Sequence, residues 1–163
     1  MGMKTTLYRQ GQGDRQPYTL HLLKSLDDFM EHVDFIREGY ESLEELVRVS
    51  WEIFASQVLQ VLKRDDGMFG VFLSKNGKPL GYVMVVDDTA DQRERVALIY
   101  AAYSNGKYLG AADEAVRYAE EWATAKGFNI LRASSRRMNG AAMKLFKKKL
   151  QFRPAFIVFE KGL

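Results

Sequence analysis

The chain contains no cysteine in its 163 residues. That excludes disulfide staples, thiolate metal ligation and any covalent cysteine intermediate, so an enzyme built on this sequence must work by other chemistry. Histidine is nearly as scarce. His21 falls on an expected strand and His32 on an expected helix, and with no third ligand to join them both are read as structural. No apolar run approaches the roughly 20 residues that span a bilayer, and the opening MGMKTTLYRQGQGDRQ lacks the apolar core of a secretion signal. No membrane association and a cytoplasmic location are therefore expected. Strong charge of one sign is also missing, the formal net charge being +3. The one dense basic feature, Lys147-Lys148-Lys149 with Lys144 nearby, reads as a solvated helix face. Nucleic-acid binding calls for a longer basic stripe with interleaved aromatics.

What is present suits a soluble globular fold, with 47% apolar and 28% charged residues. A chain of this length forms one domain and buries about two-thirds of its surface without a metal or disulfide. Residues 1–16 are expected to be a flexible segment and 17–163 the single domain.

Periodicity divides that domain into elements. YTLHLLK (18–24) alternates as a strand. Ser25 with Asp28 opens a helix whose face is Leu26, Phe29, Met30, Val33 and Ile36, with Gly39 ending the run. Ser42 and Glu45 form a capping box for a second helix carrying Leu43, Leu46, Val47, Trp51, Phe54, Val58, Val61 and Leu62. MFGVFLS and PLGYVMVVDD then read as strands joined by KNGK, where Asn76-Gly77 supplies the positive backbone angles of a tight turn. VALIYAAY (96–103) is a third antiparallel neighbour. Ala112, Ala115, Val116, Ala119, Trp122 and Ala123 make the core face of the next helix, with Asp113, Glu114, Arg117, Glu120 and Glu121 on the polar side. Gly127 caps it. FNILRAS (128–134) is a strand, Asn139 caps a helix bearing Ala142, Leu145 and Phe146, and FRPAFIVFE (152–160) is a last strand. The sum is an α+β fold: a mixed, mostly antiparallel sheet with a central strand-helix-strand crossover and helices on both faces.

The start of the crossover helix carries the chemistry. First-turn N–H groups lack intrahelical partners and sit at the positive end of the helix dipole, so an anion is held there if side chains leave room. Gly110, Ala111 and Ala112 leave that room, and Lys107 adds positive charge. Lys107-Tyr108-Leu109-Gly110-Ala111-Ala112 after a strand resembles the basic-x-x-G-x-G/A pyrophosphate loop of the GNAT superfamily, the acyl-CoA-dependent N-acyltransferases. Downstream, NGAAMKLFKKKLQF resembles that family's N-x-x-A-x-x-L-Y helix, with Asn139, Ala142, Leu145 and Phe146 at the matching places. The resemblance covers most of the chain from Tyr18.

It implies acetyl-CoA as acyl donor, lying where the strand of Ala101 and Ala102 splays from that of Ile130 to Ala133. Ala101, Ala102, Tyr103, Lys107, Tyr108, Leu109, Gly110, Ala111, Ala112, Asn139 and Phe146 would contact it. Pantetheine amides would pair with the open strand edge. The backbone N–H of Ala102 stands where the family polarises the thioester carbonyl. The implied reaction is direct attack by a primary amine, of a small molecule or a protein, in a ternary complex.

Two departures bear on catalysis. The family's usual general-acid tyrosine is Phe146, and acidic positions of the splayed strand are Val96 and Leu98. Tyr100, Tyr103, Asp87 and Glu94 are the candidates left for proton transfer, with Tyr103 and Tyr100 foremost, although tyrosine is also at home in strand packing. Phe29, Phe35, Tyr40, Trp51 and Tyr82 either build the acceptor pocket or belong to the core. The departures also favour a non-catalytic GNAT-fold module that binds protein, and the ending KKLQFRPAFIVFEKGL resembles bacteriophage-encoded members. A nucleic-acid-directed enzyme using Lys144 and the lysine run is a further alternative. Homodimerisation stays open.

Overall fold

The computed structural model describes residues 18–42, 49–90, 93–105, 111–133, 151–153 and 161–162. Its elements run β1 (Tyr18–Leu22), α1 (Leu26–Glu41), α2 (Trp51–Leu62), β2 (Met68–Ser74), β3 (Pro79–Asp87), β4 (Val96–Ser104), α3 (Ala111–Ala125) and β5 (Ile130–Ala133). The five strands lie in sequence order in one sheet. Pairs β1–β2, β2–β3 and β3–β4 are antiparallel, and β4–β5, joined through α3, is parallel. This is the mixed, mostly antiparallel sheet expected. The flexible segment proposed for 1–16, and the expected helix around Ala142 to Phe146, lie outside the described residues. So does the last strand, apart from Phe152 and Arg153, which are irregular.

Strand alternation feeds two cores. Phe69 and Val71 of β2, with Tyr82 and Met84 of β3, face α1 and α2, where Phe35, Ile36, Tyr40, Phe54, Val58 and Val61 close over them. Met68 and Phe72, with Val83 and Val85, face the other way onto Ala115, Tyr118, Ala119 and Ala123 of α3. Phe29, Phe35, Tyr40 and Tyr82 are buried in the first core, and Trp51 packs against it, which settles their role as packing.

The helix ends explain themselves locally. Ser25 Oγ accepts the Asp28 N–H at 3.2 Å, while Asp28 Oδ2 accepts the N–H groups of Lys24 at 2.8 Å and Ser25 at 3.2 Å. Three donors at the start of α1 are thus satisfied. The Lys24 backbone N–H is the main reason the Asp28 carboxyl is held below its ordinary value of 3.8. Replacing Ser25 by alanine should cost about 1 kcal/mol in urea unfolding at pH 7. A lowered carboxyl stabilises the fold above its ordinary value, and that contribution is lost as pH falls through the folded value. The urea midpoints of wild type and Asp28→Asn should therefore converge in acid.

Several expectations are revised. Gly39 does not end α1, which continues to Glu41. Gly39 is instead a point of close approach, because a Cβ there would meet Tyr82 Oη at 2.7 Å and Tyr103 Cδ1 at 2.8 Å. The buried face of α1 is Phe29, His32, Phe35, Ile36 and Tyr40, leaving Leu26 and Met30 exposed. His32 takes part because its Nε2 lies 3.4 Å from Nδ1 of buried His21 on β1, an arrangement in which one ring nitrogen donates and the other accepts. Both histidines are thus structural, as expected. Ser42 closes α1, its Oγ donating to the Gly39 carbonyl at 2.6 Å, and the cap of α2 is Ser50. Residues 43–48 of the expected longer helix lie outside the described residues.

In the β2–β3 hairpin only Gly77 takes a positive φ, of 75°. Gly77 N–H reaches Ser74 O at 2.9 Å and Ser74 N–H reaches Lys78 O at 2.8 Å. That is a turn closed by a glycine bulge rather than a two-residue loop. On α3, Glu114 is buried at 2% exposure with Arg117 Nη2 2.7 Å from its Oε1, so it is not on the polar face. Gly127, at φ 83°, caps α3 as its position suggested, Phe128 N–H returning to Ala123 O at 2.9 Å.

Candidate functional site

The parallel β4–β5 ladder covers four residue pairs, Val96 with Ile130 through Ile99 with Ala133. β4 then runs on through Ser104 with β3 on one side, and no described strand pairs its other edge. A strand edge of this kind offers unsatisfied N–H and C=O groups to an amide-bearing ligand. Ala101 and Ala102 occupy this run, Ala101 partly buried and Ala102 exposed, so neither presents a bulky side chain of its own at the edge.

A register shift lies at the point where pairing to β5 ends. Val85 stands opposite Ile99 and Met84 opposite Ala101, so Tyr100 is one residue too many on β4. This β-bulge puts two consecutive side chains on one face of the sheet. Ala97 and Ile99 pack toward α3, whereas Ala101 and Tyr103 pack toward α1 and α2. Tyr100 faces α2 as well: its phenol donates to Gln57 Oε1 at 2.8 Å. It borders a pocket of about 160 Å3 with Gln57, Gln60, Arg64 and Met84.

Tyr103 is held more firmly. Its ring lies 5.5 Å from that of Phe35 and 5.6 Å from that of Tyr82, and its hydroxyl donates to Glu38 Oε1 at 3.3 Å. Burial, and then the adjoining Glu38 carboxylate, raise its phenol above the ordinary value of 10.0. Such a phenol remains a donor and resists becoming an anion.

The acidic candidates are occupied elsewhere or remote. Asp87 Oδ1 accepts the Thr89 N–H at 2.9 Å. Burial works to raise that carboxyl, but the Thr89 hydrogen bonds, with Arg95 and Arg64, outweigh it and keep the group low. A carboxylate so stabilised is a weak base. Asp88 pairs with Arg132 at 3.2 Å, and Glu94 is an exposed loop residue.

The structure thus brings Tyr100, Ala101, Ala102 and Tyr103 together on β4. Ala111 and Ala112 are the first residues of α3, immediately after Gly110 in sequence. Lys107, Tyr108, Leu109, Gly110, Asn139 and Phe146 lie outside the described residues. Sequence reasoning missed Glu38, whose signal was faint: it stands one residue before Gly39, at the point where α1 lets tyrosines approach. It missed the bulge as well, although two tyrosines three positions apart on a strand break the even spacing that one face requires.

Comparison with known proteins gives a consistent result. A sequence model of the Acetyltransferase (GNAT) family matches residues 26–152. No match was found among curated protein sequences. Among solved structures, a putative acetyl transferase from Pyrococcus furiosus is similar with a TM-score of 0.66 at 20% identity, over 90% of this chain and 99% of that one. The aminoglycoside acetyltransferase AAC(6')-Iy, bound to the bisubstrate analogue CoA-S-monomethyl-acetylneamine, reaches 0.68 at 13% identity, over 90% and 98%. An acetyltransferase from Trypanosoma brucei reaches 0.64 at 18% identity, over 90% and 99%. At these identities the structural likeness establishes the fold.

Proposed function

Because the chain belongs to the GNAT acetyltransferase family and is an acyl-CoA N-acyltransferase, we propose that it moves an acetyl group from acetyl-CoA directly onto a primary amine. The observation that carries this reading is the run of β4 past Ile99, where Ala101 and Ala102 stand on a strand edge that no described strand pairs. Acetyl-CoA supplies the acyl group as an activated thioester. The β4 edge pairs with the pantetheine amides, and the Ala102 N–H takes the charge that gathers on the thioester carbonyl oxygen. The diphosphate is assigned to the first turn of α3 at Ala111 and Ala112 and to the preceding sequence Lys107, Tyr108, Leu109 and Gly110. Asn139 and Phe146 are assigned to the cofactor by the family resemblance of NGAAMKLF.

Tyr100 and Tyr103 line the face from which the amine arrives. Tyr103, donating to Glu38, orients the acceptor rather than removing its proton. Tyr100, half-exposed, is the group available to relay a proton. The amine nitrogen bonds to the carbonyl carbon, the carbon–sulfur bond breaks, and the nitrogen's proton ends on the departing thiolate or in solvent. A CoA thiolate leaves readily, so a phenylalanine at 146 slows this step without forbidding it. Aminoglycoside acetyltransferases among the similar structures support a small-molecule amine as acceptor.

Acetyl-CoA at 100 times its Kd should stabilise the protein by about 2.7 kcal/mol, seen as a raised Tm. Thiol should then be released only when an accepted amine is added. No shift and no calorimetric binding at millimolar acetyl-CoA would refute the reading. Binding without thiol release across a panel of amines would favour the non-catalytic module suggested by Phe146.

A further inference from the structure

The amine-facing side of β4 is electrically lopsided. Toward its N-terminal half, beside Tyr100, the pocket holds the amides of Gln57 and Gln60 and the guanidinium of Arg64, and among the described residues no carboxylate lines it. Toward its C-terminal half Tyr103 meets Glu38. Among the described residues no cation pairs with Glu38. The neighbouring Arg37 turns away, its Nε 3.2 Å from Glu41 and its guanidinium 5.4 Å from the Trp51 ring.

Glu38 is exposed, yet the group it meets is fixed. The Tyr103 ring is wedged between Phe35 and Tyr82 and against Gly39, where no larger residue fits. One Glu38 oxygen accepts the phenol, and the remaining acceptor sites of the carboxylate are available to a second donor. The partly exposed Tyr103 ring beside it also attracts a cation. Arg64 at the other end repels one. A molecule lying along β4 with one amine at the thioester would therefore turn any second positive group toward Glu38.

We propose that Glu38, oriented by Tyr103, is a specificity-determining residue that receives a second, non-reacting ammonium group of the acceptor. Diamines are then preferred to monoamines of the same length. This rests on the amine-acetylating reading above, so it needs a measurement that survives if turnover is absent.

The probes are 1,4-diaminobutane and butylamine. With the wild type, kcat/KM from thiol release should be about fivefold higher for the diamine, the upper scale of a solvent-exposed ion pair. In Glu38→Gln the ratio should fall to within about twofold of unity, and added salt should lower the wild-type ratio. Calorimetric titration of both amines into the CoA-bound protein gives the same comparison without chemistry. Diamine binding that is weakened in folded Glu38→Gln supports the subsite even if no thiol is released, an outcome that would sink only the acetyl-transfer reading. A diamine preference unchanged in Glu38→Gln, or wild type that turns over or binds both amines equally, overturns the subsite while leaving acetyl transfer standing.

Discussion

Gly81→Ala should lower stability by about 3 kcal/mol, at the upper end of ordinary overpacking. The reason is geometric. Gly81 on β3 stands opposite Ser104, and a Cβ there would lie well inside contact distance of the Tyr103 carbonyl oxygen. A flexible side chain can swing aside, but a carbonyl in a paired strand moves only with its strand. The cost is separation of β3 from β4 next to the open edge. At roughly 2–4 °C per kcal/mol for a chain of this size, the melting temperature should fall by about 6–12 °C. Gly162→Ala is the control, because nothing lies within 4 Å of the added carbon and the melting curve should not move. Since the displaced oxygen belongs to Tyr103, amine acetylation by the folded fraction should fall as well. A Gly81→Ala protein as stable as wild type would show that the two strands have slack at this point.

Gly110→Glu should abolish acetyl-CoA binding and leave the fold largely intact. α3 begins at Ala111, so residue 110 is the one through which the chain enters the helix. The first-turn N–H groups there have no helical partner, and a diphosphate that uses them must come within hydrogen-bonding distance of the backbone. A glutamate brings bulk and a negative charge to that approach. The acetyl-CoA-dependent rise in Tm should disappear, with circular dichroism unchanged. Binding that persists in a folded variant would mean that the loop is a turn and nothing more.

How much of this was legible in the sequence differs from element to element, for physical reasons. α3 was plain because alanines at three- and four-residue steps leave one packing stripe, and Gly127 marks its end. The β2–β3 hairpin was plain because Asn-Gly rarely serves anything but a turn. Its type was not, since whether one or two residues take positive φ depends on how the strands meet. Glu114 was misplaced because helical periodicity treats every carboxylate as solvated, whereas Arg117 one turn on partners it and makes its burial tolerable. Leu26 and Met30 were misplaced for the converse reason. An apolar residue is free to remain outside, and the sheet decides which stripe of α1 it covers. In the site itself, the strand, its small residues and its two tyrosines could be read directly. Their common face could not, because it depends on a pairing irregularity with β3, and Glu38 enters only through a contact 65 positions away.

The Tyr100 bulge has a consequence of parity. Before it, odd-numbered residues of β4 (Ala97 and Ile99) look toward α3; after it, odd-numbered residues (Ala101 and Tyr103) look toward α1 and α2. One supernumerary residue reverses the strand's count. Deleting it would restore simple alternation and leave Ala101 and Tyr103 on the α1–α2 side, with only the Tyr100 side chain lost from that face. The extra residue is thus an insertion that the sheet absorbs locally, since the pairing with β3 on either side of it stays in step. What the insertion adds is a second tyrosine on the side already occupied by Tyr103, at no cost to the position of Tyr103 itself.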